Sequence, residues 1–211
     1  MPTLQQAHQW YSTDDPVHGL DHVLRVYRMA EKLAQYEGAD LEIVRAAALL
    51  HDAEGSAPHD EQNRATHHEA SATFARSILE AEGWPEARIL AVEHCIRAHR
   101  YRTTETPQTL EAKVLFDADK LDVLGAFGVA RTIAYAAQAN QPIFAEPSEQ
   151  FLSTGKKEPG EPHSSYHEFL FKLRKVKDRL FTEKARRIAE ARHAYLVAFY
   201  EQLLAEATAL R

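Results

Sequence analysis

DLEIVRAAALLHD, residues 40–52, decides how this chain is read. Asp40 can accept hydrogen bonds from the free N–H groups that open a helix, and Val44, Ala47 and Leu50 recur at the spacing of one helical face. The stretch is expected to be a helix whose apolar face leads directly into His51-Asp52. The question is whether that pair holds a metal ion or merely ends an apolar helix. With 12 His and 10 Asp among 211 residues, about half an HD pair is expected by chance, and a second pair, His59-Asp60, follows in a polar stretch. The dipeptide alone decides nothing, so the answer lies in what other helices bring to it.

Working outward, Leu20, Val23, Leu24, Tyr27 and Ala30 mark one face of a preceding helix that runs to about Gly38. Thr66-His67-His68-Glu69 has the form of a capping box and predicts a helix start there, with His67 and His68 in its first turn and Gly83 as its stop. Pro85 suits the start of a helix through Ile89, Val92 and Ile96, and the segment from Leu110 to about Ala137 reads as one or two more. A long loop with four prolines is expected at about 140–164. Ser165-Tyr166-His167-Glu168 then reads as a capping box opening a helix with Phe169, Leu173, Val176 and Leu180 inward, and Thr182 caps a last helix to about Ala209. No alternating strand pattern and no internal repeat is present, so the expectation is a single all-α domain over residues 1–211.

The bulk properties narrow the function. A net charge of −6 offers no general attraction for a nucleic acid polymer or an acidic membrane. The basic run FKLRKVKDR, residues 171–179, reads as the solvated face of an amphipathic helix. Cys95 is the only cysteine, which excludes an intrachain disulfide, and MPTLQQAHQW lacks the features of a secretory signal; a cytoplasmic protein is expected. The longest apolar run, AYLVAFY at 194–200, is far short of the ~20 residues of a membrane helix. No Gly-rich P-loop is present, so nothing points to use of a nucleoside triphosphate as an energy source.

Ligand-type residues do appear elsewhere. His22 opens a helix in HGLDHVLRV, and Asp117, Asp119 and Asp122 crowd into the otherwise apolar VLFDADKLDVLG. Carboxylates at Asp119 and Asp122, one helical turn apart among leucines, would be costly to bury without cations or hydrogen-bond donors.

His22, His51-Asp52 and Asp119, in this order within an all-helical chain, resemble the HD-domain superfamily of metal-dependent phosphohydrolases. The resemblance covers residues from about 18 to 135, with the C-terminal helices at about 165–209 beyond it. DADKLDVLGAFGVAR is similar to the family's last motif, in which the second Asp is the ligand; this selects Asp119 over Asp117. The resemblance implies one divalent metal, with a second possible, held by His22, His51, Asp52 and Asp119. Two imidazoles and two carboxylates suit Mn, Fe, Ni, Co, Zn or Mg. It also implies hydrolysis of a phosphate ester of a small nucleotide or phosphorylated metabolite. Without a GYP-type motif, a cyclic-dinucleotide phosphodiesterase is not the expected member.

Relatives with two metals place extra histidines where His68 and His99 stand, and these two are candidates for ligands, for proton transfer or for phosphate contact, with plain surface histidines as the alternative. Lys120, by the same resemblance, points to the substrate phosphate, and Glu54 is a candidate base for the attacking water. Arg97 and Arg100 are candidate anion contacts. GEPHSSYHEFLFKL is similar to the C-terminal part of one bacterial branch, and His163, Tyr166 and His167 are candidates for closing over the substrate, against simple capping and aromatic packing. A di-iron oxygenase on the same fold and a non-catalytic nucleotide-binding protein are the alternative functions.

Overall fold

The computed structural model describes all residues except 12–14, 16, 18, 55–60, 101–104 and 210–211, and the side chains of residues 61–65 are left aside. Among the described residues the chain is helical throughout, with no strand. The elements are α1 (Leu4–Trp10), α2 (Leu20–Glu37), α3 (Leu41–Leu50), α4 (Glu61–Ala81), α5 (Glu86–Ala98), α6 (Leu110–Asp122), α7 (Gly125–Gln138), α8 (Glu149–Thr154), α9 (Ser165–Phe171), a 3₁₀ turn (Leu173–Arg179) and α10 (Glu183–Ala207).

The helix at residues 41–50 is the centre of the molecule. Asp40 caps it by accepting from the N–H groups of Glu42 and Ile43, as its sequence predicts. Burial goes further than one face: Ile43, Val44 and every residue from Ala46 to Leu50 are buried. Glu42 and Arg45 are its only charged residues, both in its first half, and a helix this apolar belongs in a core. It packs against α2, α4, α5 and α6, and the run of three alanines lets those neighbours approach closely. His51 and Asp52 follow at its C-terminal end, so their side chains emerge inside the bundle and not on its surface.

Four boundaries differ from the sequence expectation, each for a local reason. α1 is an additional helix, opened by a capping box between Thr3 and Gln6. α4 begins at Glu61, so Thr66 lies within it and His67 and His68 sit beyond its first turn. The S/T-x-x-E pattern is compatible with a helix interior, and the preceding Gln62-Asn63-Arg64-Ala65 contains no breaker. The Pro-rich loop carries the short α8, capped by Ser148 and ended by Gly155 in the left-handed region. Finally, Ser164, one residue earlier than expected, caps α9 by accepting from the N–H of His167. The helix then tightens into a 3₁₀ turn that buries Leu173 and Val176, three apart as that geometry requires.

The break between α6 and α7 has its own requirement. Gly125 has φ +71, and a Cβ there would stand 3.2 Å from the Arg192 side chain of α10. At Gly128 a Cβ would stand 2.3 Å from the Val123 carbonyl oxygen, which leaves room for glycine alone.

α10 is fastened to α6 at its N-terminus. The fully buried Asp117 carboxylate accepts from the backbone N–H of Phe181 at 2.9 Å and of Thr182 at 2.7 Å. Burial pushes the Asp117 pKa up to about 6, against those hydrogen bonds. Removing the acceptor leaves two buried N–H groups unsatisfied. Asp117→Ala is therefore expected to lower the unfolding free energy by about 1–3 kcal/mol, read as a shift of the urea midpoint at constant slope. The folded variant should retain the wild-type metal content; loss of metal at unchanged stability would contradict this assignment.

Candidate metal centre

Asp52 is the hub of the buried site. Four imidazoles surround it: His51 Nε2 lies 3.5 Å and His22 Nε2 3.8 Å from Oδ2, while His67 Nε2 lies 3.5 Å and His99 Nε2 3.4 Å from Oδ1. The rings of His22 and His51, His51 and His99, and His67 and His99 meet edge to face, with centroids 5.1–5.7 Å apart. Among the described residues, two groups therefore place ligand atoms within 4.8 Å of one another: His22, His51 and Asp52, and Asp52, His67 and His99. The two groups share one carboxylate.

Each ring is set by its other nitrogen. His51 Nδ1 donates to the Ala48 carbonyl at 2.9 Å, and His99 Nδ1 donates to the Ile96 carbonyl. A carbonyl can only accept, so both rings carry their proton on Nδ1 and turn an Nε2 lone pair towards Asp52. His22 Nδ1 donates to Asp122 Oδ2 at 2.7 Å, with the same result. His51 Nε2 is buried and has no hydrogen-bond partner among the described residues. Imidazoles held through Nδ1 with the other nitrogen aimed into a mixed nitrogen and oxygen cluster fit a divalent cation.

Asp119 completes the first group from α6. Its Oδ1 lies 3.5 Å from His22 Nε2, while Oδ2 accepts from the buried ammonium of Lys120. Asp122, one turn further along the same helix, also accepts from Arg25 at 2.8 Å and 3.0 Å and from Arg131 at 3.0 Å. Three carboxylates, Asp52, Asp119 and Asp122, are thus buried with three cations, Lys120, Arg25 and Arg131, on the latter two.

The electrostatics keep this set in the ligating form. Burial would raise Asp119, but the ammonium of Lys120 and then the imidazoles of His22, His99 and His51 hold it well below the usual carboxylate range. Burial acts likewise on Asp52, which His51, His99 and His67 hold far down. Asp122 is held low by His22, Arg25 and Arg131 against its burial. Burial, reinforced by Arg131, pushes His22 down to about 4 in spite of its bond to Asp122, and burial pushes His51 down as well. Both rings are neutral at pH 7.

The candidate residues named from sequence divide accordingly. His22, His51, Asp52 and Asp119 come together, and His99 joins them. His67, missed from sequence, takes the position expected of His68. Adjacent residues on a helix point about 100° apart, so only one of the pair can face Asp52. The buried Nδ1 of His68 has no hydrogen-bond partner among the described residues, and its Nε2 lies 3.7 Å from the exposed Glu69.

Lys120, expected to point to a substrate phosphate, lies on the candidate ligand Asp119 and over the Phe116 ring, where it balances the carboxylate. Glu54 is exposed, with its backbone N–H donating to Ser71, and no contact ties its carboxylate to the cluster among the described residues. Arg97 pairs with Glu105, whereas Arg100 is half-buried near His68. Both nitrogens of the fully buried His167 are engaged, by Ser164 and by Glu161 at 3.0 Å. Tyr166 packs among Phe144, Phe169 and Tyr200, and His163 lies against Glu168. In this structure these three fasten α9 to the Pro-rich loop, the arrangement of simple capping and aromatic packing. His59 and Asp60 lie outside the described residues.

Residues 19–124 match the HD domain profile, and the chain belongs to the HD domain family. The matched segment runs from the start of α2 to the end of α6 and contains every residue of both groups. YpgQ of Bacillus subtilis is 30% identical to this chain over 96% of this chain and 94% of its own. Its crystal structure in complex with ADP superposes with a TM-score of 0.72 at 27% identity, covering 95% of this chain and 96% of that one. A protein of Lactobacillus plantarum gives 0.77 at 30% identity over 99% and 100% of the two chains. A protein of an uncultured Thermotogales bacterium, described as an HD superfamily hydrolase, gives 0.63 at 29% over 96% and 90%. No helix among the described residues is long and apolar enough to cross a membrane.

The low pKa of His22 has a testable sign. Between about pH 6.5 and 4 the unfolded chain binds a proton at this residue that the metal-free fold does not, so stability falls as pH falls through that window. The loss from His22 approaches roughly 3 kcal/mol at its lower end. Urea melts of the chelator-treated protein at several pH values should show a steeper decline for wild type than for His22→Asn. Parallel pH dependences for the two would remove His22 from this account.

Proposed function

We propose that this chain is a metal-dependent phosphohydrolase acting on a small nucleotide. The observation that carries the reading is the buried Asp52 carboxylate shared between two histidine groups. His22, His51, Asp52 and Asp119 would hold one divalent ion, and Asp52, His67 and His99 a second. Such ions polarise a phosphoryl oxygen and lower the pKa of the attacking water. Asp52 bridges the two groups and fixes their spacing. Lys120 offsets the charge of Asp119, leaving the centre cationic enough, once loaded, to attract a phosphate. The ADP complex of YpgQ supports a nucleotide as the substrate class.

A pair of irons would also suit two histidine groups sharing a carboxylate, which keeps an oxygenase as the second reading. Metal analysis of protein purified without added metal, followed by phosphate release from nucleotides and sugar phosphates, separates the readings. Phosphate release supports hydrolysis; oxygen consumption with two irons per chain favours the oxygenase; a nucleotide bound but intact at stoichiometric protein leaves a binding protein.

Variants test the arrangement. His67→Ala should lose about one metal equivalent together with activity, while His68→Ala keeps the metal. If His67 serves proton transfer instead, the metal stays and phosphate release falls by ~10² to 10⁴. Asp122→Asn should weaken metal binding by about 10–100-fold, because it supports His22 without reaching the ion. Metal affinity unchanged in Asp122→Asn would separate that carboxylate from the centre.

A further inference from the structure

A cleft of about 280 Å³ lies on the far side of Asp122 from the cluster, between α2, α6, α7 and α10. Arg25, Arg28, Met29 and Lys32 of α2 line it together with Ala118 and Asp122, Phe127 and Arg192. Four of these eight side chains are cationic and one is a carboxylate, in a chain whose net charge is −6. The cleft thus reverses the charge of the protein as a whole.

Apart from Arg25, which pairs with Asp21 and Asp122, its cations are also treated differently from others on the surface. Arg45 pairs with Glu31, Arg76 with Glu80, Glu86 and Glu93, Arg88 with Asp40 and Glu42, and Arg97 with Glu105. Arg28 and Lys32 are exposed and enter no ion pair among the described residues. They stand at i and i+4 on one helical stripe with Arg25, a spacing at which like charges repel. Arg192 reaches in from α10 and makes a single hydrogen bond, to the Leu121 carbonyl at 2.6 Å. Burial pushes its pKa down, with Asp122 alone opposing. Phe127, more than half exposed, has the Arg25 guanidinium 4.3 Å over its ring.

Arg25 is matched by Asp21 and Asp122, but Arg28, Lys32 and Arg192 gather in the concave site with no ion pair among the described residues, and they leave a place for an anion. We propose that this cleft is a second binding site, distinct from the metal centre, for a small phosphorylated ligand whose phosphoryl group sits between Arg28, Lys32 and Arg192. Three cations converging from two helices suit an oxyanion of two or more charges better than a monoanion. The half-exposed Phe127 ring beside them provides a flat apolar surface for the remainder of such a ligand.

The site is joined to the metal centre by one short path. Arg25 lines the cleft and donates to Asp122, and Asp122 accepts from the ligand His22.

Inorganic pyrophosphate is a suitable probe, titrated calorimetrically into the full chain after chelator treatment, so that a metal-bound phosphate does not contribute. Wild type should bind saturably, and Arg28→Gln/Lys32→Gln should weaken binding at least tenfold while leaving the helical circular dichroism and thermal midpoint unchanged, since both side chains are exposed. His51→Ala, which disrupts the metal centre, should bind pyrophosphate as wild type does. Absence of saturable binding overturns the proposal, as does binding that persists in the double variant or vanishes in His51→Ala. None of these measurements involves turnover, so the outcome is independent of the proposed hydrolysis.

Discussion

A carboxylate buried among four imidazoles governs this molecule. Asp52 is almost inaccessible to water, and a charge in that position is tolerated only where donors and cations surround it. The fold supplies them from four directions: His22 from α2, His51 from the end of α3, His67 from α4 and His99 from the end of α5. Asp119 from α6 adds a second carboxylate with its own ammonium, Lys120. The apolar α3 needs burial on all sides, and meeting that need carries Asp52 to the point where these elements converge. Core packing and the donor set are two consequences of one placement.

The outer layer explains why the rings do not swing. Imidazoles are easily rotated unless the far nitrogen is engaged, and two helix-end carbonyls and Asp122 engage it here. The carbonyls of Ala48 and Ile96 belong to the last turns of α3 and α5, and that of Ile96 accepts from both the backbone N–H and the ring of His99. Helix ends thus fix the tautomer that leaves each Nε2 free to face Asp52.

Much of this was legible in the sequence. The apolar period before His51 and the Asp40 cap specified α3, and three leucines around Asp119 and Asp122 pointed to carboxylates that must be compensated. What remained hidden depended on register. The capping-box pattern at Thr66 placed a helix start where the helix is already under way, and within a His67-His68 pair that choice of frame decides which ring faces inward. The 3₁₀ turn after α9 follows a three-residue period that is easily mistaken for an α-helical one over a short span. Asp122 showed its likeness to Asp119 but not its partner, because a support role is defined by what lies across the core, at His22, one hundred residues away in sequence. The contacts of Lys120 were hidden for the same reason: the direction of a long side chain is set by the space left around it.

The fastening of Thr182 to Asp117 spans 65 residues and ties the stretch 19–124 that matches the family to a residue beyond it. Asp117 and Asp119 stand two positions apart on α6, so one braces the helix against α10 while the other serves the centre. On the ribosome, at about 5–20 residues per second, the backbone donors for Asp117 arrive roughly 3–13 s after the carboxylate has been made. During that interval the nascent chain already contains every residue of the candidate centre, yet the helix bearing Asp119 lacks its outer brace. Completion of the scaffold around that centre therefore waits on a segment made well after it.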